Sequence, residues 1–128
     1  MRIVSTGIDI VEIDRIRAAH ERYRLRFELR VYTPAERTRI ATLKDPAPYL
    51  AGRWAVKEAV LKVLGTGLTQ GITWQDVEVL REPSGAPRVE LGGRALERAG
   101  ALGITRILVS ITHGKDLAVA QALGVGEG

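Results

Sequence analysis

One stretch constrains this chain more than any other: Leu50-Ala51-Gly52-Arg53-Trp54-Ala55-Val56-Lys57-Glu58-Ala59-Val60-Leu61-Lys62-Val63-Leu64. Asp45-Pro46 places a capping residue before a proline that can open a helix, and Gly65 supplies a stop. Between them Ala, Leu and Val dominate and no glycine follows Gly52. The apolar positions leave no wide polar face, so this helix is expected to be packed on most of its sides. Yet Arg53, Lys57, Glu58 and Lys62 sit within it, and charges are rarely buried without a partner. Glu58 and Lys62 are four apart and share a stripe with the small residues Ala51 and Ala55. Two readings of that stripe stand. It is an i,i+4 salt bridge on a solvated edge, or it is a carboxylate and an amine over an alanine-lined groove that a ligand can approach.

What else converges on that groove is bounded by composition. A chain of 128 residues with 45% hydrophobic and 27% charged side chains fits one domain, residues 1–128, with a modest core. With no cysteine there is no disulfide, thiolate metal site or cysteine nucleophile, which fits a cytoplasmic protein. The start of the chain has too short an apolar run for a signal peptide, and no stretch approaches a membrane span. Two histidines make a histidine-rich zinc site a poor fit, so a metal would rest on carboxylates, the preference of a hard ion such as magnesium.

The net charge of +4 is unevenly spread. Arg15, Arg17, Arg22, Arg24, Arg26, Arg30, Arg37 and Arg39 face only Glu21, Glu28 and Glu36, so this segment is more positive than the whole chain. Arginine forks suit carboxylates and phosphates, so an acidic partner is expected. A small nucleic-acid-binding protein is the rival reading; it needs stacking aromatics beside the basic patch, where only Tyr23, Phe27 and Tyr32 stand.

Along the chain, residues 3–11 read as a first strand, with Gly7 marking a bulge or a close backbone approach. Asp9, between Ile8 and Ile10, is either the cap of the next helix or a metal ligand at a strand end. Ile13 and Ile16 give helical spacing, with Arg15 and Arg22 outward and His20 on the surface. Phe27, Leu29 and Val31 alternate as in a strand, or belong to a helix end. Thr33-Pro34-Ala35-Glu36 is a capping box whose helix should run to about Leu43. The loop Gly65 to Gly71 is glycine-rich, but it is no Walker loop and the chain holds no GxGxxG fingerprint. Residues 72–80 and 88–91 flank a Pro/Gly turn and read as a hairpin. A helix from Arg94 to Leu102 should turn Ala95, Leu96, Ala99 and Leu102 to the core. Arg106–His113 and Leu117–Ala122 are strands around a tight turn, with His113 at a rim beside Ser110 and Thr112. The tail from Gly124 is expected to fray.

Four segments in this order, Gly7-Ile8-Asp9-Ile10-Val11-Glu12-Ile13, Phe27 to Glu36, Gly52 to Lys62 and Val109-Ser110-Ile111-Thr112-His113, closely resemble the small bacterial type of 4′-phosphopantetheinyl transferase, the holo-[acyl-carrier-protein] synthases. The resemblance covers nearly the whole chain, and its specific part is Arg53-Trp54-Ala55-Val56-Lys57-Glu58-Ala59 with Lys62 beyond. Family members usually carry Phe where Trp54 stands, and often a lysine where Ala86 stands in the hairpin turn. The resemblance implies an α+β fold, mainly antiparallel sheet packed with a long central helix, in a homotrimer with sites between subunits. It implies magnesium-dependent transfer of the 4′-phosphopantetheine group of coenzyme A to a serine of apo acyl carrier protein, releasing adenosine 3′,5′-bisphosphate. Asp9 and Glu58 then match the metal-binding carboxylates and Lys62 the lysine at the reacting phosphate, these three forming the catalytic set. Arg53, Gly65, Thr112 and His113 fall where coenzyme A is held. Arg15, Arg22 and Arg26 lie on the segment that docks the carrier protein. A nucleic acid or a membrane has no part in that scheme.

Overall fold

The structure is a computed structural model describing Met1–Gly128. In chain order it contains β1 (Arg2–Glu12), α1 (Ile13–Tyr23), α2 (Leu25–Val31), α3 (Pro34–Ile40), α4 (Ala47–Leu64), a 3-10 turn (Trp74–Asp76), β2 (Val77–Arg81), β3 (Pro87–Leu91), α5 (Gly93–Ala101), β4 (Arg106–His113) and β5 (Leu117–Gly126). Strands β1, β5 and β4 form an antiparallel sheet in that order, and β2 and β3 form a separate hairpin. The long helix α4 lies across the three-stranded sheet, and its Leu50, Ala51, Ala55, Val56, Ala59 and Val60 are fully buried.

The sheet accepts the helix because it is nearly bald where they meet. Gly7, Ala122 and Val109 lie in register across the three strands, and so do Asp9, Ala120 and Ile111. A Cβ on Gly7 would lie 2.0 Å from the Ala59 carbonyl oxygen, and one on Gly124 would lie 2.7 Å from Val63 Cγ1. The glycine in the first strand is therefore a close-approach residue, as its setting predicts. Alternation sends Ile8 and Ile10 to the opposite face, each 62% exposed.

A buried ion pair joins α4 to the hairpin. Glu36 completes the capping box of α3: its Oε1 accepts from the Thr33 backbone N–H at 2.8 Å and from Lys57 Nζ at 2.9 Å. Glu36 Oε2 accepts from the Val79 N–H at 2.7 Å. Lys57 Nζ also donates to the carbonyls of Val77 at 2.5 Å and Trp74 at 3.2 Å. All three ammonium protons therefore have acceptors, as a charge with no exposed surface requires. This arrangement explains why residues 72–76 do not extend the strand. The chain there is held in the 3-10 turn by a Thr73–Asp76 capping box, and the Trp74 carbonyl faces Lys57 instead of a neighbouring strand.

Several expectations are corrected. Of the two readings of residues 27–31, the helical one holds, since they belong to α2. Helix α3 ends at Ile40, with Thr42 and Leu43 forming turns back to Arg39 and Ile40 rather than another helical turn. Asp45 is not the cap residue of α4; Pro46 is, while the Asp45 carboxylate accepts from the Ala47 N–H at 3.3 Å and from Arg17 at 2.6 Å. Leu96 is exposed, because the nine-residue α5 inserts Ala95 and Ala99 into the core and leaves the leucine at the edge. The tail does not fray at Gly124: Gly124 and Val125 are buried and paired to both β1 and β4. His20 is not a free surface residue, since it is half-buried and bonded to Glu28.

Candidate active site

The bald sheet face has a direct chemical consequence. Because Gly7 lets the Ala59 carbonyl close on β1, the next turn of α4 delivers Lys62 to the same strand. Lys62 Nζ donates to the Ile8 carbonyl at 2.7 Å and to Asp9 Oδ1 at 3.3 Å. The Asp9 side chain is 15% exposed and that of Lys62 is 53% exposed. Glu58, one turn earlier, is half-buried and forms no ion pair with Lys62, so the i,i+4 salt-bridge reading gives way to a cross-element bond. Burial pushes the Glu58 carboxyl above the ordinary glutamate value of 4.5, the negative charge of Asp9 pushes it further, and Lys62 opposes both. Asp9 is no helix cap either: Glu12 precedes α1, and the first helical N–H, that of Ile13, bonds the Asp116 carbonyl at 2.9 Å.

Two carboxylates that repel each other on a half-shielded edge form a donor set suited to a hard divalent cation. No cluster of three or more histidine or carboxylate groups completes a protein-only coordination sphere. The remaining positions of such an ion would be filled by water or by oxygens of a phosphate ligand.

A second group of residues lies around a cleft of about 630 Å³ that includes Arg39, Tyr49, Arg53, Arg81, Thr112 and His113. The Arg53 guanidinium stacks over the Tyr49 ring, 4.3 Å from its centroid. Its buried Nε has no hydrogen-bond partner within the chain. An orphaned guanidinium nitrogen beside further arginines is a feature an anion would satisfy. Arg39, Arg81 and Tyr49 carry no motif that marks them as site residues in the sequence, yet all three line this cleft. Arg39 reads in the sequence only as one of the arginines of the basic segment, but α3 turns it into the cleft. Arg81, at the end of β2, lies against the hairpin turn, with an Nη 3.6 Å from the place a Cβ on Gly85 would occupy. Its only signal was a cation at the base of a Pro/Gly turn.

Gly65 ends α4 in the left-handed region at φ 74°, its N–H bonded to the Leu61 and Lys62 carbonyls at 3.0 and 3.1 Å. Arg98 of α5 donates to the Leu64 carbonyl at 3.0 Å, fixing the mouth of the following loop. Arg15, Arg22 and Arg26 are exposed on α1 and α2, whereas Arg17 pairs with Asp14 and Asp45 and Arg37 donates to the Tyr32 carbonyl. Of the aromatics in the basic segment, Tyr32 is fully buried and Phe27 stacks on Trp54, so neither is a platform for bases.

Comparison with known proteins decides the family. Residues 5–122 match the model of the 4′-phosphopantetheinyl transferase superfamily. The chain belongs to this superfamily. It is 47% identical over 118 residues to the holo-[acyl-carrier-protein] synthase of Maridesulfovibrio salexigens, covering 92% of this chain and 94% of that one. The Plasmodium yoelii acyl carrier protein synthase with ADP bound superposes with a TM-score of 0.89 at 34% identity, over 99% of this chain and 98% of that one. The Helicobacter pylori holo-[acyl-carrier-protein] synthase in complex with coenzyme A superposes with a TM-score of 0.82 at 30% identity, over 94% and 99% of the two chains. The α+β architecture expected for a phosphopantetheinyl transferase is the one observed. No helix is long and apolar enough to cross a membrane.

Proposed function

We propose a division of roles within one reaction: the chain transfers the 4′-phosphopantetheine group of coenzyme A to a serine of apo acyl carrier protein, releasing adenosine 3′,5′-bisphosphate. The observation that carries the reading is the meeting of Asp9, Lys62 and Glu58 where β1 and α4 touch. Asp9 and Glu58 hold a magnesium ion, which when bound neutralises charge on the pyrophosphate of coenzyme A. Lys62 spends two of its three ammonium protons on Ile8 and Asp9 and presents the third to the phosphate under attack. Phosphoryl-type transfer is mainly positioning and charge stabilisation, and the nucleophile arrives on the carrier. That is why this chain needs no nucleophilic serine of its own.

Arg53, Thr112 and His113, with Arg39 and Arg81, hold the anionic end of coenzyme A, while the Gly65 backbone borders the arm near Lys62. Arg15, Arg22 and Arg26 dock the acidic carrier. These groups belong to one site only if two copies of the chain build it. Arg53 and Lys62 are nine helical positions apart, which puts them on opposite faces of α4 and about 13 Å apart along its axis. The outer face of the sheet, with Ile8 and Ile10 exposed beside Leu108, offers the apolar surface such copies would cover. This supports a homotrimer with sites between subunits, each a single 1–128 unit, working in the cytoplasm.

The test is to incubate the protein with radiolabelled coenzyme A, apo carrier and magnesium. Label is expected on the carrier, and Glu58→Gln is expected to abolish it. Undiminished magnesium-dependent labelling by that variant would refute the ligand assignment.

A further inference from the structure

The joint between α1 and α2 is made by one of the two non-glycine residues at positive φ in the chain. Arg24, which links them, has φ 50° and ψ −123°, a conformation that favours glycine. Its N–H bonds the His20 carbonyl at 2.8 Å, and its own carbonyl accepts from the Glu28 N–H at 3.2 Å. Across this joint one side-chain bond ties the two helices: His20 Nε2 donates to Glu28 Oε2 at 2.7 Å. The two side chains are only 15% and 20% exposed. The imidazole leans on Phe27, 6.2 Å between ring centres, and Phe27 continues through Trp54 to Trp74 at 6.0 and 4.4 Å. The brace is therefore anchored in the body of the protein through α4.

What the brace controls is the spacing of two exposed cations. Arg22 is on α1 and Arg26 is on α2, one on each side of the joint. Both guanidinium groups lie over the single ring of Tyr23, at 5.3 and 5.9 Å. A change in the angle between α1 and α2 would separate them. We propose that His20 and Glu28 are positioning residues for the carrier protein: their bond holds the strained Arg24 joint at the angle that presents Arg22 and Arg26 as one paired anion-binding surface. This rests on the reading of the arginine segment as the docking surface. The carrier is an acidic protein whose carboxylates engage both cations together.

Four variants test it in the full-length protein with coenzyme A, magnesium and apo carrier. His20→Ala and Glu28→Ala are each expected to raise the KM for carrier about fivefold, the equivalent of one ordinary hydrogen bond, with KM for coenzyme A and kcat unchanged. The double variant should be no worse than either single one, because both break the same bond. His20→Gln, which keeps an N–H donor toward Glu28, should restore the carrier KM to near the starting value. Unchanged carrier KM in both alanine variants overturns the proposal, as does an equal rise in both substrates' KM, which a merely structural role would produce. Failure of the underlying docking reading is seen separately, as an Arg15→Glu/Arg22→Glu variant that leaves the carrier KM unchanged. Where His20→Ala folds poorly, Glu28→Ala and the His20→Gln rescue still decide.

Discussion

Lys57 and Lys62 stand five residues apart on one helix, and each donates to a carboxylate and to backbone carbonyl oxygen. Lys57 has no exposed surface and every proton engaged; Lys62 is 53% exposed and keeps one free. The same chemical group thus serves two ends. In the interior, where an unpaired ammonium is intolerable, it locks α3, α4 and the hairpin into one arrangement. At the rim, where water can take over either acceptor, the same type of bond costs little to break, and the amine remains available to a ligand. A lysine is structural or functional by virtue of the protons it has left over.

The comparison breaks most visibly through Glu58→Gln, which should leave the Lys57 lock and the melting temperature intact while removing transfer; loss of folding in that variant would show that the two regions are not separable. Lys57→Met strands the Glu36 carboxylate in the core and should cost about 3–5 kcal/mol in denaturant unfolding. Adding Glu36→Leu should recover only part of that, since it removes the stranded charge but leaves the Thr33 and Val79 N–H groups without their acceptor. Lys62→Ala should do the reverse, lowering kcat about 10²–10³-fold, as for loss of one preorganised donor, with less than about 1 kcal/mol of stability lost. Reversing Arg15 and Arg22 to Glu should raise the carrier KM more than that of coenzyme A, and added salt should imitate the change.

The smallest effect is a titration. Burial and Asp9 raise the folded-state value of Glu58, so its proton is held more tightly in the folded than in the unfolded chain. The stability this contributes is present below about 4.5 and is lost as pH rises through the raised folded value. In metal-free protein followed by carboxyl NMR, Glu58 should titrate above 4.5, and Asp9→Asn should move it down. No movement would mean that the two carboxylates do not sense each other, which would remove the physical basis for a shared cation.

Much of this was legible along the chain. The body and Gly65 stop of α4, the Thr33 capping box, the hairpin turn and the close approach at Gly7 follow from local spacing and backbone preference. The family resemblance supplied the site residues, because spacing alone left Glu58 and Lys62 as either a surface pair or a site. What sequence could not reveal is which residue each charge reaches. Arg39 reads as one of eight similar arginines until α3 turns it into the cleft, and His20 reads as a surface residue until α2 folds back to meet it.

The amino-acid order by itself determined the body of α4, its Gly65 stop, the start of α3 and the hairpin turn, and that a charged, otherwise apolar helix needs partners, because those properties depend on neighbours a few residues away. Only the tertiary structure decided that Lys57 is sealed by Glu36, twenty-one positions earlier, and that Lys62 meets Asp9, fifty-three positions earlier. The physical reason is that hydrogen bonds act over about 3 Å. A chain brings such distant groups within that range only after Gly7 and the alanines of the sheet have allowed the helix to settle.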